Sequence, residues 1–119
     1  MEFPDLEVFF QRLTDVTDQI AIINTHYDAD HEKDFTEMES IFETIKTFPW
    51  EKSDSKYYTL FTSYFTFHMK IVEEMIHEAR EILNPEKRQY LKRLVNYSKT
   101  ANDWFSLLKK RKKSISQAA

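Results

Sequence analysis

The 119-residue sequence contains no glycine. Glycine supplies the positive φ angles of hairpin turns, β-bulges and phosphate-cradling loops at no steric cost. A β-sandwich, a P-loop or a dinucleotide-binding fold is not expected from a chain that lacks it. Helices tolerate its absence, because they can end on Asn, on a proline-containing turn or by fraying. An all-α fold is the expectation.

The apolar pattern agrees. Leu6, Phe9, Leu13, Val16, Ile20, Ile23 and Tyr27 alternate steps of three and four, the seam of a packed helix over about 5–28. Pro4 stands at its start, and Asp5 and Glu7 suit the positive end of the helix dipole. The segment Tyr27–Asp34 is polar and acidic, with Asp28 or Asp30 able to cap a second helix over about 31–47. Phe35, Met38, Ile41, Phe42, Ile45 and Phe48 form that helix's seam, and Pro49 disfavours helical geometry at Phe48. Residues 49–55 read as the longest loop, with Ser53, Asp54 or Ser55 as the next cap.

A third helix is expected over about 56–83, with Phe61, Phe65, His68, Val72, Met75, Ala79 and Ile82 inward. Asn84 and Pro85 are a good cap and a good first helical residue, so a fourth helix over about 85–112 must follow at once. Its seam is Leu91, Leu94, Ser98, Ala101, Phe105 and Leu108. A near-absent connection forces helices 3 and 4 into an antiparallel hairpin. The expected architecture is an antiparallel four-helix bundle with helix 2 the shortest. It forms a single domain over 1–113, followed by a frayed tail, 114–119.

A domain of this length can bury roughly two thirds of its unfolded surface, so it needs no disulfide or metal to fold. The absence of cysteine excludes a disulfide scaffold and any thiolate site. No run reaches the roughly 18 to 20 apolar residues of a membrane span, and the first residues lack the basic start of a signal peptide. A cytoplasmic protein is expected.

The net charge of −3 is unevenly placed. Residues 1–60 hold 14 Asp/Glu against 5 Lys/Arg, whereas residues 61–119 hold 6 against 12. Two causes are open: an electrostatic partner or self-association, and internal pairing of an acidic helix with a basic one.

Candidate chemistry is sparse. Glu74 and His77 have the Glu-x-x-His spacing of di-iron carboxylate bundles, and Asp28 to His31 loosely echoes it. In those bundles the ligands project into the core. Here the inward positions are Val72, Met75 and Ala79, which leaves Glu74 and His77 on the outer side. No metal and no cofactor are expected. Histidine phosphotransfer domains are also four-helix chains of this length, and Arg80 lies three residues beyond His77. The small residue that normally follows is here Glu81, whose charge would repel a phosphoryl group. His68 is the one histidine on a seam, and a hydroxyl or carbonyl is expected to satisfy it. No histidine is placed to activate a nucleophile, so no catalytic residue is assigned.

Two surfaces remain. The run Lys109, Lys110, Arg111, Lys112 and Lys113 either complements the negative end of a helix or contacts nucleic acid or another anionic surface. The second surface is aromatic. Eighteen residues are Phe, Tyr or Trp (10, 6 and 2), and helix 3 carries a second stripe of Tyr57, Leu60, Tyr64, Phe67 and Ile71. This stripe lies to one side of the first around the helix. Helix 4 adds Tyr90, Tyr97 and Trp104 at steps of seven. Either these residues face a second neighbour inside the bundle, or they dock a partner. Helix 2 reads as too short to cover helix 3, which favours docking. The expected function is a non-enzymatic protein-interaction module binding a larger protein, or itself as a homodimer, through this face. The alternative is nucleic-acid or anionic-surface binding at the basic end.

Overall fold

A computed structural model describes residues 3–21, 32–82 and 88–118. It contains helices α1 (Leu6–Ala21), α2 (Glu32–Thr47), α3 (Ser55–Ile82) and α4 (Arg88–Ala118), with one 3-10 turn at Trp50–Lys52. Helix 2 ends at Thr47, as expected, and helix 3 begins at Ser55, one residue before expectation, while the expected start of helix 2 at 31 and end of helix 3 at 83 lie outside the described residues. The last expected turns of helix 1, the caps Asp28 and Asp30, and the break at Asn84 and Pro85 lie outside the described residues. Helix α4 continues to Ala118, past the expected end at 112. No proline or glycine follows Lys112, and Gln and Ala sustain a helix.

Side-chain caps fix two starts. The Asp5 carboxylate accepts from the backbone N–H groups of Glu7 (3.0 Å) and Val8 (3.3 Å), and Asp54 accepts from that of Tyr57 (2.9 Å). Each satisfies donors that have no partner within the helix. No described residue adopts positive φ, and α2 ends at Thr47 without the left-handed glycine that often terminates a helix.

Around the bundle the helices are ordered α1, α2, α4, α3, each touching the next, with α3 closing on α1. Phe10 of α1 meets Phe61 and Tyr64 near the start of α3, so these two helices run parallel. Phe35 and Phe42 of α2 meet Tyr90 and Tyr97 of α4 in the same chain order, so that pair is parallel too. Helices consecutive in the chain are antiparallel, as expected. The spatial order corrects one expectation: α2 lies across the diagonal from α3, and α1, not α2, is the neighbour beside α3's second stripe, of which it covers only part.

The core follows the expected seams with a shift on α1, with Met69, Ile76 and Tyr97 buried beside the seams of α3 and α4, and with Leu91 only half-buried. On α1 the buried residues are Leu6, Phe10, Leu13, Val16, Thr17 and Ile20. Phe9 is half-buried and turns its ring toward Phe48 beyond α2 (6.4 Å, edge on). Helix α1 rotates toward α3 because Phe10 stacks on Tyr64 at 5.3 Å.

The diagonal connection from α2 to α3 explains the largest departure from expectation. Trp50, in what reads as a loop, is fully buried. Its indole lies flat on Phe61 (4.0 Å, 7°) and beside Tyr57 and Phe48. Its Nε1–H donates at 2.7 Å to the Ile45 carbonyl in the last turn of α2, which also accepts a longer bond of 3.3 Å from the Phe48 N–H. The crossing segment therefore plugs one end of the bundle and finishes a helix at the same time. Lys112, from the far end of α4, donates to the Ser53 carbonyl at 2.9 Å and ties this plug to α4.

Candidate interaction surface

The residues expected to dock a partner separate into two groups. Tyr90, Tyr97 and Trp104 on α4 face α2. Tyr90 stacks on Phe35 (5.8 Å, 12°), Tyr97 meets Phe42 edge on (5.5 Å), and Trp104 does the same at 5.7 Å. Tyr97 is buried, and Tyr90 and Trp104 are half-buried against the core. Their sevenfold spacing is the contact seam of a helix pair. This removes Tyr97 from any docking surface and makes Tyr90 and Trp104 part of the α2–α4 contact.

On α3 the stripe divides by angle. Tyr57 and Tyr64 lean toward α1. The Tyr57 hydroxyl donates to the Pro4 carbonyl at 2.7 Å, its ring stacks on Trp50, and burial followed by the nearby Asp5 charge raises its pKa to about 12. Ile71 is half-buried. Leu60 and Phe67 are not covered: they stay 50% and 61% exposed. Singly exposed apolar residues are ordinary, but these two stand seven apart on one helix, flanked by Tyr64 and Ile71, and so form one strip.

An interior polar pair lies on the core side of α3, about 90° around the helix from Leu60 and Phe67. His68 is buried, with Nε2 at 2.7 Å from the Tyr97 hydroxyl, the partner type expected for it. Burial lowers the His68 pKa to about 4 and is also the main cause raising that of Tyr97, with the Glu39 charge second.

Charge placement answers part of the asymmetry. Arg93 of α4 donates from Nη1 to Glu32 and from Nη2 to Glu39, both at 2.6 Å, reaches Thr36 at 3.2 Å, and sits over the Phe35 ring. The Glu39 hydrogen bond is the largest cause raising its pKa. Acidic α2 and basic α4 are therefore paired internally. Glu32, Thr36 and Glu39 follow helical spacing, which was legible in the sequence, but their common target was not.

The basic run is also divided. Lys112 is half-buried on Ser53 and lies over the Tyr58 ring at 5.1 Å, and Lys109 lies over Phe105 at 4.6 Å while remaining exposed. Lys110, Arg111 and Lys113 are exposed as well. Leu107, 57% exposed, shares a shallow cleft with Lys110, Arg111 and Glu51.

Glu74 and His77 are exposed, and His77 lies 3.6 Å from Glu81 rather than from Glu74. Among the described residues no three His, Cys, Asp or Glu side chains converge as a metal site, and no helix is long and apolar enough to cross a membrane. No protein-family model, curated protein or solved structure matches the chain.

Proposed function

We propose that this chain is a cytoplasmic, non-enzymatic protein-interaction module: a small helical regulator, inhibitor or adaptor that docks a protein through the outer face of α3. The observation that carries this reading is the exposure of Phe67 and Leu60 on a helix whose other described apolar side chains are buried or half-buried. Large side chains in an uncovered strip offer buried area to a partner at no cost to the core. Tyr64 and Ile71 would form its half-buried floor. Tyr90, Tyr97 and Trp104 do not belong to it.

The test is a photoreactive side chain at position 67, with the same group at the exposed polar position 99 as control. Discrete crosslinked adducts are expected at 67 and not at 99, and Leu60→Asp should remove them while helicity stays intact. Equal labelling at both positions would sink the reading. Phe67→Asp should likewise abolish association without unfolding the chain.

A second reading rests on the exposure of Lys109, Lys110, Arg111 and Lys113 at one end of α4. It is binding to nucleic acid or another anionic surface. A salt series against duplex DNA and RNA decides it: phosphate contacts give a steep salt slope, and no affinity at low salt removes the reading.

A further inference from the structure

We infer that the exposed face of α3 pairs antiparallel with the same face of a second copy of this chain. The inference rests on reading α3 as a docking surface and names the partner. A two-fold interface must be complementary to itself, because any residue i that meets j has j meeting i on the other side. Few helix faces meet that condition. This one does.

At 100° per residue, Lys56, Leu60, Phe67, Ile71, Glu74 and Glu78 all point within about 40° of one direction. The order along that line is basic, apolar, acidic. Lys56 opens it, Leu60 and Phe67 occupy the middle, and Glu74 and Glu78 close it, every one of these five exposed. Parallel pairing would set Lys56 against Lys56 and the glutamates against each other. Antiparallel pairing sets opposite charges together twice, once on each side of the axis.

A register follows from the geometry. With the two-fold axis at the level of Phe65, Lys56 stands nine residues to one side and Glu74 nine to the other, so each Lys56 is level with Glu74 of the second copy. Leu60 then falls within three residues of the second copy's Phe67, about 4.5 Å along the axis at 1.5 Å per residue. The two apolar pairs interdigitate between the two ion pairs. Lys70 lies about 80° from Leu60, at the edge of the face, and stays in water. Among the described residues, Lys56, Glu74 and Glu78 make no ion pair within their own chain, so pairing costs no existing one.

The strip is one helix wide. It belongs with interfaces below about 1,200 Å² in total, the size of weak and transient contacts. The dimer is accordingly a concentration-dependent equilibrium that added salt weakens.

Sedimentation equilibrium of the full chain, from micromolar to millimolar, is the first measurement, and a monomer–dimer equilibrium is expected. Lys56→Glu and Glu74→Lys should each raise the dimer dissociation constant by about tenfold, since each turns two attractions into two repulsions. An equimolar mixture of the two variants should recover wild-type association, because both cross-pairs are again of opposite sign. Both substitutions lie on the solvent face, and unchanged circular dichroism separates lost pairing from lost folding. A chain that remains monomeric at millimolar concentration overturns the proposal, as does a mixture that associates no better than either variant alone. If the chain is monomeric while position 67 crosslinks to a different protein, self-pairing fails and the docking reading stands. Without any adduct at position 67, both fail.

Discussion

The parallel pairs α2–α4 and α1–α3 are built from the same kind of sequence and end differently. Each presents an aromatic stripe to a neighbour. On the α2–α4 side the stripe is used up: Phe35 and Phe42 take Tyr90, Tyr97 and Trp104, and Arg93 ties the outer edge to Glu32 and Glu39. On the α1–α3 side, α1 takes Tyr57 and Tyr64 and leaves Leu60 and Phe67 in water. The two sides differ in stripe width. Residues seven apart on α4 stay in line with one neighbour, whereas the α3 stripe is broader than the contact α1 makes. An aromatic excess is therefore a docking signal only for the part of the arc that the neighbour does not reach.

The covered side can be tested most severely. Tyr97→Ala should cost about 3–5 kcal/mol of stability, the range for deleting a buried aromatic side chain, and leaves His68 without its hydroxyl partner. Trp50→Ala should fall in the same range of about 3–5 kcal/mol, because the indole fills the end of the bundle and caps α2. Denaturant titration measures both. If Tyr97→Ala costs no more than a surface substitution, the division between the two sides is wrong.

The next effect is a pH dependence confined to the covered side. His68 has its pKa lowered from 6.5 to about 4 by burial. The unfolded chain therefore takes up this proton at a higher pH than the folded one. Stability is full above pH 6.5 and falls as pH drops from 6.5 towards 4, by about 1.4 kcal/mol per unit at most. The loss reaches about 3 kcal/mol near pH 4. The titratable groups nearest this pair are Tyr97 itself and Glu39 across from it on α2. Stability of His68→Gln, measured across the same range, should be flat where the wild type falls. A wild-type slope retained by that variant would assign the titration elsewhere.

How far the sequence discloses this molecule depends on whether a feature is local. Helix extents and most core positions follow from spacing alone, since the 3.6-residue period is a property of each helix by itself. Neighbour order is not. The residues of α3 look the same whether α1 or α2 lies beside them, and the assumption that α2 does so made the second stripe seem barer than it is. Trp50 was hidden for a related reason: between Pro49 and Ser53 it has no periodic company, and only the diagonal crossing shows that its indole has a socket. His68 was legible because a lone polar residue on an apolar seam must find a partner. Its partner Tyr97 was not, because its spacing also fitted a surface stripe. Of the candidate surface, Leu60 and Phe67 are exposed, whereas Tyr90, Tyr97 and Trp104 of α4 pack against α2.

The smallest stability effect is expected where the functional effect is largest. Phe67 is 61% exposed, so Phe67→Ser gives up little burial and should change unfolding stability by no more than about 0.5 kcal/mol. Serine is a somewhat poorer helix former than alanine but close to phenylalanine, so helix propensity leaves that figure unchanged. The same substitution removes one of the two apolar groups that any partner of α3 would cover. Unfolding and association should therefore separate at this position, with stability kept and binding lost, and stay joined at Tyr97, where both fail together. A loss of several kcal/mol at Phe67 would mean that α1 covers the stripe after all, and the α1–α3 side would then be no different from the α2–α4 side.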